Sequence, residues 1–146
     1  MTVIQNAKAV LEDLVLEDAT ILVENGRILS VESGEKQLPD GAEVIDAEGL
    51  YVGPGFVDIH VHGGNGYMFD AEPLSAAEHF LRHGETTVLA TLYYTLSKDE
   101  WLAAVQGVKR AMRKGGAGCI IKGIYMEGPY MNPKYGASPE KNKWRG

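Results

Sequence analysis

Three side chains in this sequence are of types that bind cations. His60 and His62 flank a single valine in "GFVDIHVHGG", and Glu127 closes the apolar run of "CIIKGIYMEGPYMNP". On a β-strand, residues i and i+2 share a face, so the two imidazoles project together with their Cα atoms about 6–7 Å apart. Two ring nitrogens at that separation can converge on one ion, with nitrogen–metal bonds of about 2.0–2.1 Å. Glu127 follows residues that read as a buried strand, where an unpaired carboxylate costs on the order of several kcal/mol. It therefore calls for a cation or a hydrogen-bond donor. The plain alternatives are a polar pair at an exposed strand end and a glutamate that has emerged into solvent, since His-x-His alone is a weak pattern. Taken together, two imidazoles and a carboxylate with a position left for water make a hydrolytic metal set. Zn and Fe suit such donors, as do Co and Mn.

The elements that must position these residues follow from patterning. Residues 1–50 read as short strands with tight turns, and "ATILVENGRILSVESG" places Asn25-Gly26 where a type I′ hairpin needs two residues of positive φ. After residue 62 the texture changes. "LSAAEHFLRHG" reads as a helix with Ser75 as N-cap and Gly84 beyond its end, and "TTVLATLYYT" as a strand buried on both faces. "SKDEWLAAVQGVKRAMRKGG" reads as a second helix, opened by a Ser97/Glu100 capping box and closed by Gly115-Gly116. A third buried strand then leads to Glu127. The order is a β region followed by β-α-β-α-β, which implies a parallel sheet with chemistry at the carboxyl ends of its strands. Both histidines and Glu127 fall at such ends.

Other candidates carry less. His79 and His83 are four apart on the first helix but lack the glutamate of a helical His-Glu-x-x-His site, so a structural role is expected. Cys119 is expected to fill core at the start of the third strand. Trp101, Trp144, Tyr93, Tyr94 and Tyr130 are expected to pack. "GGNG" at 63–66 lacks the lysine and helix start of a phosphate loop. The 146 residues hold 14 Lys+Arg against 20 Asp+Glu, a net charge of -6, so nucleic acid is not an expected partner. The single cysteine fits a reducing compartment. No apolar run reaches the ~18 residues of a membrane span, and the first residues do not pattern as a signal peptide, so a cytoplasmic location with no membrane partner is expected.

"PGFVDIHVHGG" resembles the first barrel strand of the amidohydrolase superfamily, and "MEGPYMNPKYGAS" resembles the N-acetylglucosamine-6-phosphate deacetylases within it. The likeness runs along essentially the whole chain. It implies an α/β fold: a partial (β/α)8 TIM-type barrel of about three βα units over residues 53–146, preceded by part of a small β-sandwich over residues 1–52. It also implies that His60, His62 and Glu127 hold one or two divalent ions. Hydrolysis of the N-acetyl group of a small sugar phosphate follows, giving glucosamine 6-phosphate and acetate. By position, the backbone of Ala137, after Gly136, should touch the sugar, whereas Ser138 falls where relatives vary. The resemblance further implies a homodimer in the full-length protein.

A barrel takes at least ~200 residues, so the sequence is expected to be the N-terminal part of such an enzyme and inactive alone. The acid/base aspartate is expected beyond residue 146. Two other readings stand beside this one. The first is another amidohydrolase, of D-aminoacylase or dihydroorotase type, against which "EGPYMNP" speaks because such relatives typically place a metal-bridging lysine. The second is a non-catalytic scaffold module.

Overall fold

The computed structural model describes residues 1–34, 36–132, 134, 135 and 139–144. The chain divides into two compact units, Met1–Pro54 and Gly55–Gly146. The first is a five-stranded sheet of β1 (Thr2–Val10), β2 (Val15–Glu24), β3 (Arg27–Ser33), β4 (Glu43–Asp46) and β5 (Tyr51–Val52). Its order is β3-β2-β1-β4, with β5 also on β1; β1–β2 and β2–β3 are antiparallel, while β4 and β5 run parallel to β1. Asn25 and Gly26 take φ of 51° and 73° between the paired Glu24 and Arg27, the two-residue hairpin expected of Asn-Gly. Small residues dominate the core of this unit, with Val3, Ala7, Ala9, Ala19 and Ile21 buried.

The second unit contains β6 (Phe56–Val61), β7 (Gly63–Gly64), β8 (Tyr67–Met68), α1 (Pro73–Arg82), β9 (Glu85–Leu92), α2 (Lys98–Lys114) and β10 (Ile121–Met126). β6, β9 and β10 form a parallel sheet in the order β10-β9-β6, as the alternation of strands and helices requires. β9 is central, and its Val88, Ala90, Thr91 and Leu92 are buried. Both helices contribute to the same core: Ala76 and Ala77 of α1, and Ala104, Val108 and Ala111 of α2, gather with Phe69, Leu92, Ile120 and Ile121. Apolar positions at helical spacing fix these faces.

Several local expectations need correction. α1 starts at Pro73, two residues before Ser75, with Glu72 at the N-cap and no side-chain cap hydrogen bond. Proline at the first helical turn initiates it instead, because its fixed φ suits that turn and its missing N–H would have been unpaired there. Cys119 is exposed and lies in a 3-10 turn before β10, so it fills no core. β6 and β10 are not buried on both faces: Phe56, Val57, Ile59, Tyr125 and Met126 are exposed, because these strands form the two edges and only β9 has neighbours on both sides. Tyr130 is exposed as well, whereas Tyr94 is buried.

The capping box forms as expected. The Ser97 Oγ accepts from the Glu100 N–H at 3.4 Å, and the Ser97 N–H donates to Glu100 Oε2 at 2.7 Å. Hydrogen bonds from Ser97, then from the Lys143 ammonium 2.9 Å away, hold the Glu100 carboxyl at a pKa of about 2. The native state thus favours the ionised form, so this stabilisation is complete above the ordinary carboxylate pKa and is lost as pH falls from about 4.5 toward 2. Ser97→Ala should cost about 1 kcal/mol by denaturant unfolding, and Glu100→Gln should flatten the acid limb of stability between those pH values. Val57 and Ile59 each expose 64% of their surface along an edge strand, an arrangement that invites pairing with another chain. Ile59→Lys should therefore shift the chain toward monomer in sedimentation and lower its binding of an apolar dye.

Candidate metal centre

His60 lies near the carboxyl end of β6, and His62 directly follows that strand. Glu127 directly follows β10, and its N–H extends the ladder by donating to the Leu92 carbonyl at 3.2 Å. β9 lies between them, which separates the β6 and β10 backbones by about 9–10 Å. The side chains cross that gap above the end of β9. His62 Nε2 comes within 3.1 Å of Glu127 Oε2. One donor atom from each of His60, His62 and Glu127 lies within 4.8 Å of the others, the one such group of three among the described residues.

The backbone of each histidine is tied down by a hydrogen bond. The His60 N–H donates to Asp58 Oδ1 at 2.9 Å. The His62 carbonyl accepts from the Phe69 N–H at 2.9 Å, which ties the ligand backbone to a fully buried aromatic. The segment between them is the β7–β8 hairpin, whose turn residues Asn65 and Gly66 have φ of 53° and 85°. This second Asn-Gly turn was as readable as the first, since it is the strongest short hairpin signal, and "GGNG" is therefore a hairpin rather than a phosphate loop. His79 packs against this hairpin: a Cβ on Gly64 would sit 2.6 Å from His79 Cδ2. His83 Nδ1 lies 2.7 Å from the His79 carbonyl at the helix end. His79 thus has a packing role, whereas His83 is exposed.

The donor set passes a test of fit for a cation. Glu127 Oε2 is buried yet has no hydrogen-bond partner, so its approach to His62 lacks hydrogen-bond alignment. Two donor atoms 3.1 Å apart match the separation that a shared ion with bonds of about 2.0–2.2 Å would impose. A buried carboxylate oxygen with no proton donor is otherwise costly. Burial pushes the His62 pKa below its ordinary value. The Glu127 carboxylate pulls it up, His60 lowers it further, and the Thr91 backbone and Asp70 raise it. The net effect keeps the ring neutral, which is the form that binds a metal.

Reading the sequence missed three groups around this centre. The Tyr93 ring stacks on His62, Tyr125 lies beside His60, and Asp70 contributes charge. Tyr93 and Tyr125 end up here because the ligands lean over the end of β9, a displacement that no single-strand pattern encodes. Ala137, with Gly136 and Ser138, lies outside the described residues.

Similarity to known proteins agrees with this geometry. The model of the amidohydrolase family matches residues 43–115, half of the chain. The chain is 33% identical over 145 residues to the N-acetylgalactosamine-6-phosphate deacetylase of Escherichia coli O157:H7, covering 95% of this chain and 37% of that protein. Its fold matches the N-acetyl-D-glucosamine-6-phosphate deacetylase of Mycobacterium smegmatis with a TM-score of 0.74 at 27% identity, over 100% of this chain and 41% of that one. A shorter match, 42% identical over 62 residues, is to the dihydroorotase of Staphylococcus epidermidis, covering 42% of this chain and 14% of that enzyme. The chain belongs to the amidohydrolase family, and it spans well under half the length of these relatives.

The residue after the carboxylate explains the glycine of "EGP". Gly128 has φ of 93°, and a Cβ there would lie 2.8 Å from Tyr94 Cβ. Tyr94 is buried and cannot retreat. Gly128→Ala should destabilise the chain by about 1–3 kcal/mol, measured as a lower denaturant midpoint, whereas the same change at Gly116, where a Cβ meets nothing within 4 Å, should cost less.

Proposed function

We propose that this chain is the metal-holding portion of a deacetylase that hydrolyses the N-acetyl group of N-acetylglucosamine 6-phosphate to glucosamine 6-phosphate and acetate. The observation that carries the reading is the convergence of His60, His62 and Glu127 at the carboxyl ends of one parallel sheet. The sugar-phosphate deacetylases among its relatives supply the substrate class. In this reading the parallel sheet is the first part of a (β/α)8 barrel, the five-stranded unit is part of a β-sandwich, and the complete protein is a dimer.

His60, His62 and Glu127 hold one or two divalent ions, Zn or Fe first, with Co and Mn also suited. When bound, such an ion supplies Lewis-acid polarisation of the amide carbonyl and activation of water. The chain's own residues bind and orient. The neutral His62 ring donates its lone pair. Glu127 contributes the negative charge that two imidazoles lack, and the hairpin of residues 63–69 fixes the His62 backbone. The Ala137 backbone contacts the sugar. The proton carried from nucleophile to leaving amine belongs to an aspartate that this chain does not supply. An expected consequence is that the 146 residues alone turn over no substrate.

The dihydroorotase match favours a second reading, an amidohydrolase acting on a cyclic amide. The run "EGPYMNP" weighs against it, because such relatives typically place a metal-bridging lysine.

The test has two arms. The purified chain should bind Zn or Co, raising its stability by about 2.7 kcal/mol at a hundredfold excess of metal over the dissociation constant. His60→Ala and Glu127→Ala should each abolish most of that shift. The complete barrel containing this chain should then release acetate from N-acetylglucosamine 6-phosphate faster than from N-acetylgalactosamine 6-phosphate, and should leave dihydroorotate intact. Absence of any metal-induced shift would sink the metal reading. The opposite sugar preference, or dihydroorotate hydrolysis, would sink the substrate assignment alone.

A further inference from the structure

Histidine ligands are ordinarily oriented by a hydrogen bond from the ring nitrogen that does not bind metal. His62 lacks one. Its Nδ1 is buried with no aligned hydrogen-bond partner, although the Thr91 backbone is close enough to favour the charged ring. A contact so poorly aligned holds the imidazole only weakly about Cβ–Cγ, a torsion that is intrinsically broad, and leaves its rotation to a second contact. The Tyr93 ring lies face to face with His62, centroids 3.6 Å apart and planes within 6°. That spacing is van der Waals contact over the whole ring, so rotating the imidazole would drive its edge into the phenol.

We propose that Tyr93 is a positioning residue that fixes the His62 ring plane and so aims Nε2 at the point it shares with Glu127. This rests on the metal-centre reading above. Tyr93 is suited to the task by where it stands. It follows Leu92 at the end of the buried central strand, between the two ligand-bearing strands, and precedes the buried Tyr94. Its backbone is thus fixed on both sides, and the ring is a rigid platform for His62. Tyr125 has a looser counterpart role beneath His60, with centroids 4.8 Å apart and planes inclined by 37°. Stacking of this kind uses the ring face and not the hydroxyl.

Three chains separate positioning from mere packing: wild type, Tyr93→Phe and Tyr93→Leu. In the metal-free wild type, NMR should show contacts between the His62 and Tyr93 ring protons and an upfield ring-current shift at His62. Tyr93→Phe should keep both and bind Co(II) within about twofold of wild type, whereas Tyr93→Leu should lose both and bind roughly 10-fold more weakly. A folded Tyr93→Leu chain with wild-type Co(II) affinity would overturn the proposal, as would a folded wild type with no ring contact. Should Tyr93→Leu fail to fold, the wild-type and Tyr93→Phe spectra decide. Should no chain bind metal, the spectra still decide the ring orientation, and the failure falls on the metal-centre reading alone.

Discussion

Two side chains from non-adjacent strands reach across a third, and the site depends on that reach. His62 and Glu127 stand on either side of β9, about two strand spacings apart at the backbone, yet their donor atoms approach to 3.1 Å. This closure requires β9 to stop where it does. Leu92 is its last residue, and the Glu127 N–H takes the Leu92 carbonyl as the final rung of the ladder. The next residue, Tyr93, lays its ring against His62. Burial then does two things at once. It removes water from a carboxylate oxygen that no donor satisfies, and it disfavours the charged imidazole that would have satisfied it. An ion is the simplest group that relieves both.

The surrounding framework converts local rules into that geometry. Central β9 packs Val88, Ala90 and Leu92 into the helix-covered core and has a strand on either side, so it can serve as the fixed reference for its two partners. The β7–β8 hairpin would be a floppy tail on β6 without the Phe69 N–H to His62 carbonyl bond and without the close approach of His79 to Gly64. Gly128 performs the equivalent service after Glu127, turning the chain sharply where a side chain would strike Tyr94. The ligands are thus each followed at once by backbone that only a narrow choice of residues can make.

Much of this was legible in the sequence, and the boundary between legible and hidden is physical. The His-x-His spacing placed both rings on one face because strand periodicity is local. The Ser97/Glu100 box, the Asn25-Gly26 hairpin and the β-α-β-α-β order were readable for the same reason. What depended on pairing between strands was not. Tyr93 read as packing, because nothing in "LYYT" says that a histidine some thirty residues earlier will lie on its face. The exposure of β6 and β10 was hidden for a related reason: an apolar run looks the same whether its strand has one neighbour or two. Cys119 read as core since it borders the run "CIIKGI", but the 3-10 turn places it one residue short of the buried segment.

The direction in which His62 is shifted also bears on what the ring is suited to do. A histidine that moves protons near neutral pH needs a pKa close to that range, so that both forms are populated. Burial moves His62 away from it, and the proximity of a second imidazole moves it the same way; only the carboxylate, the Thr91 backbone and Asp70 oppose them. The ring is therefore better suited to hold a lone pair in place than to accept and release a proton. Glu127, paired with that ring and lacking any donor of its own, is likewise placed to ligate.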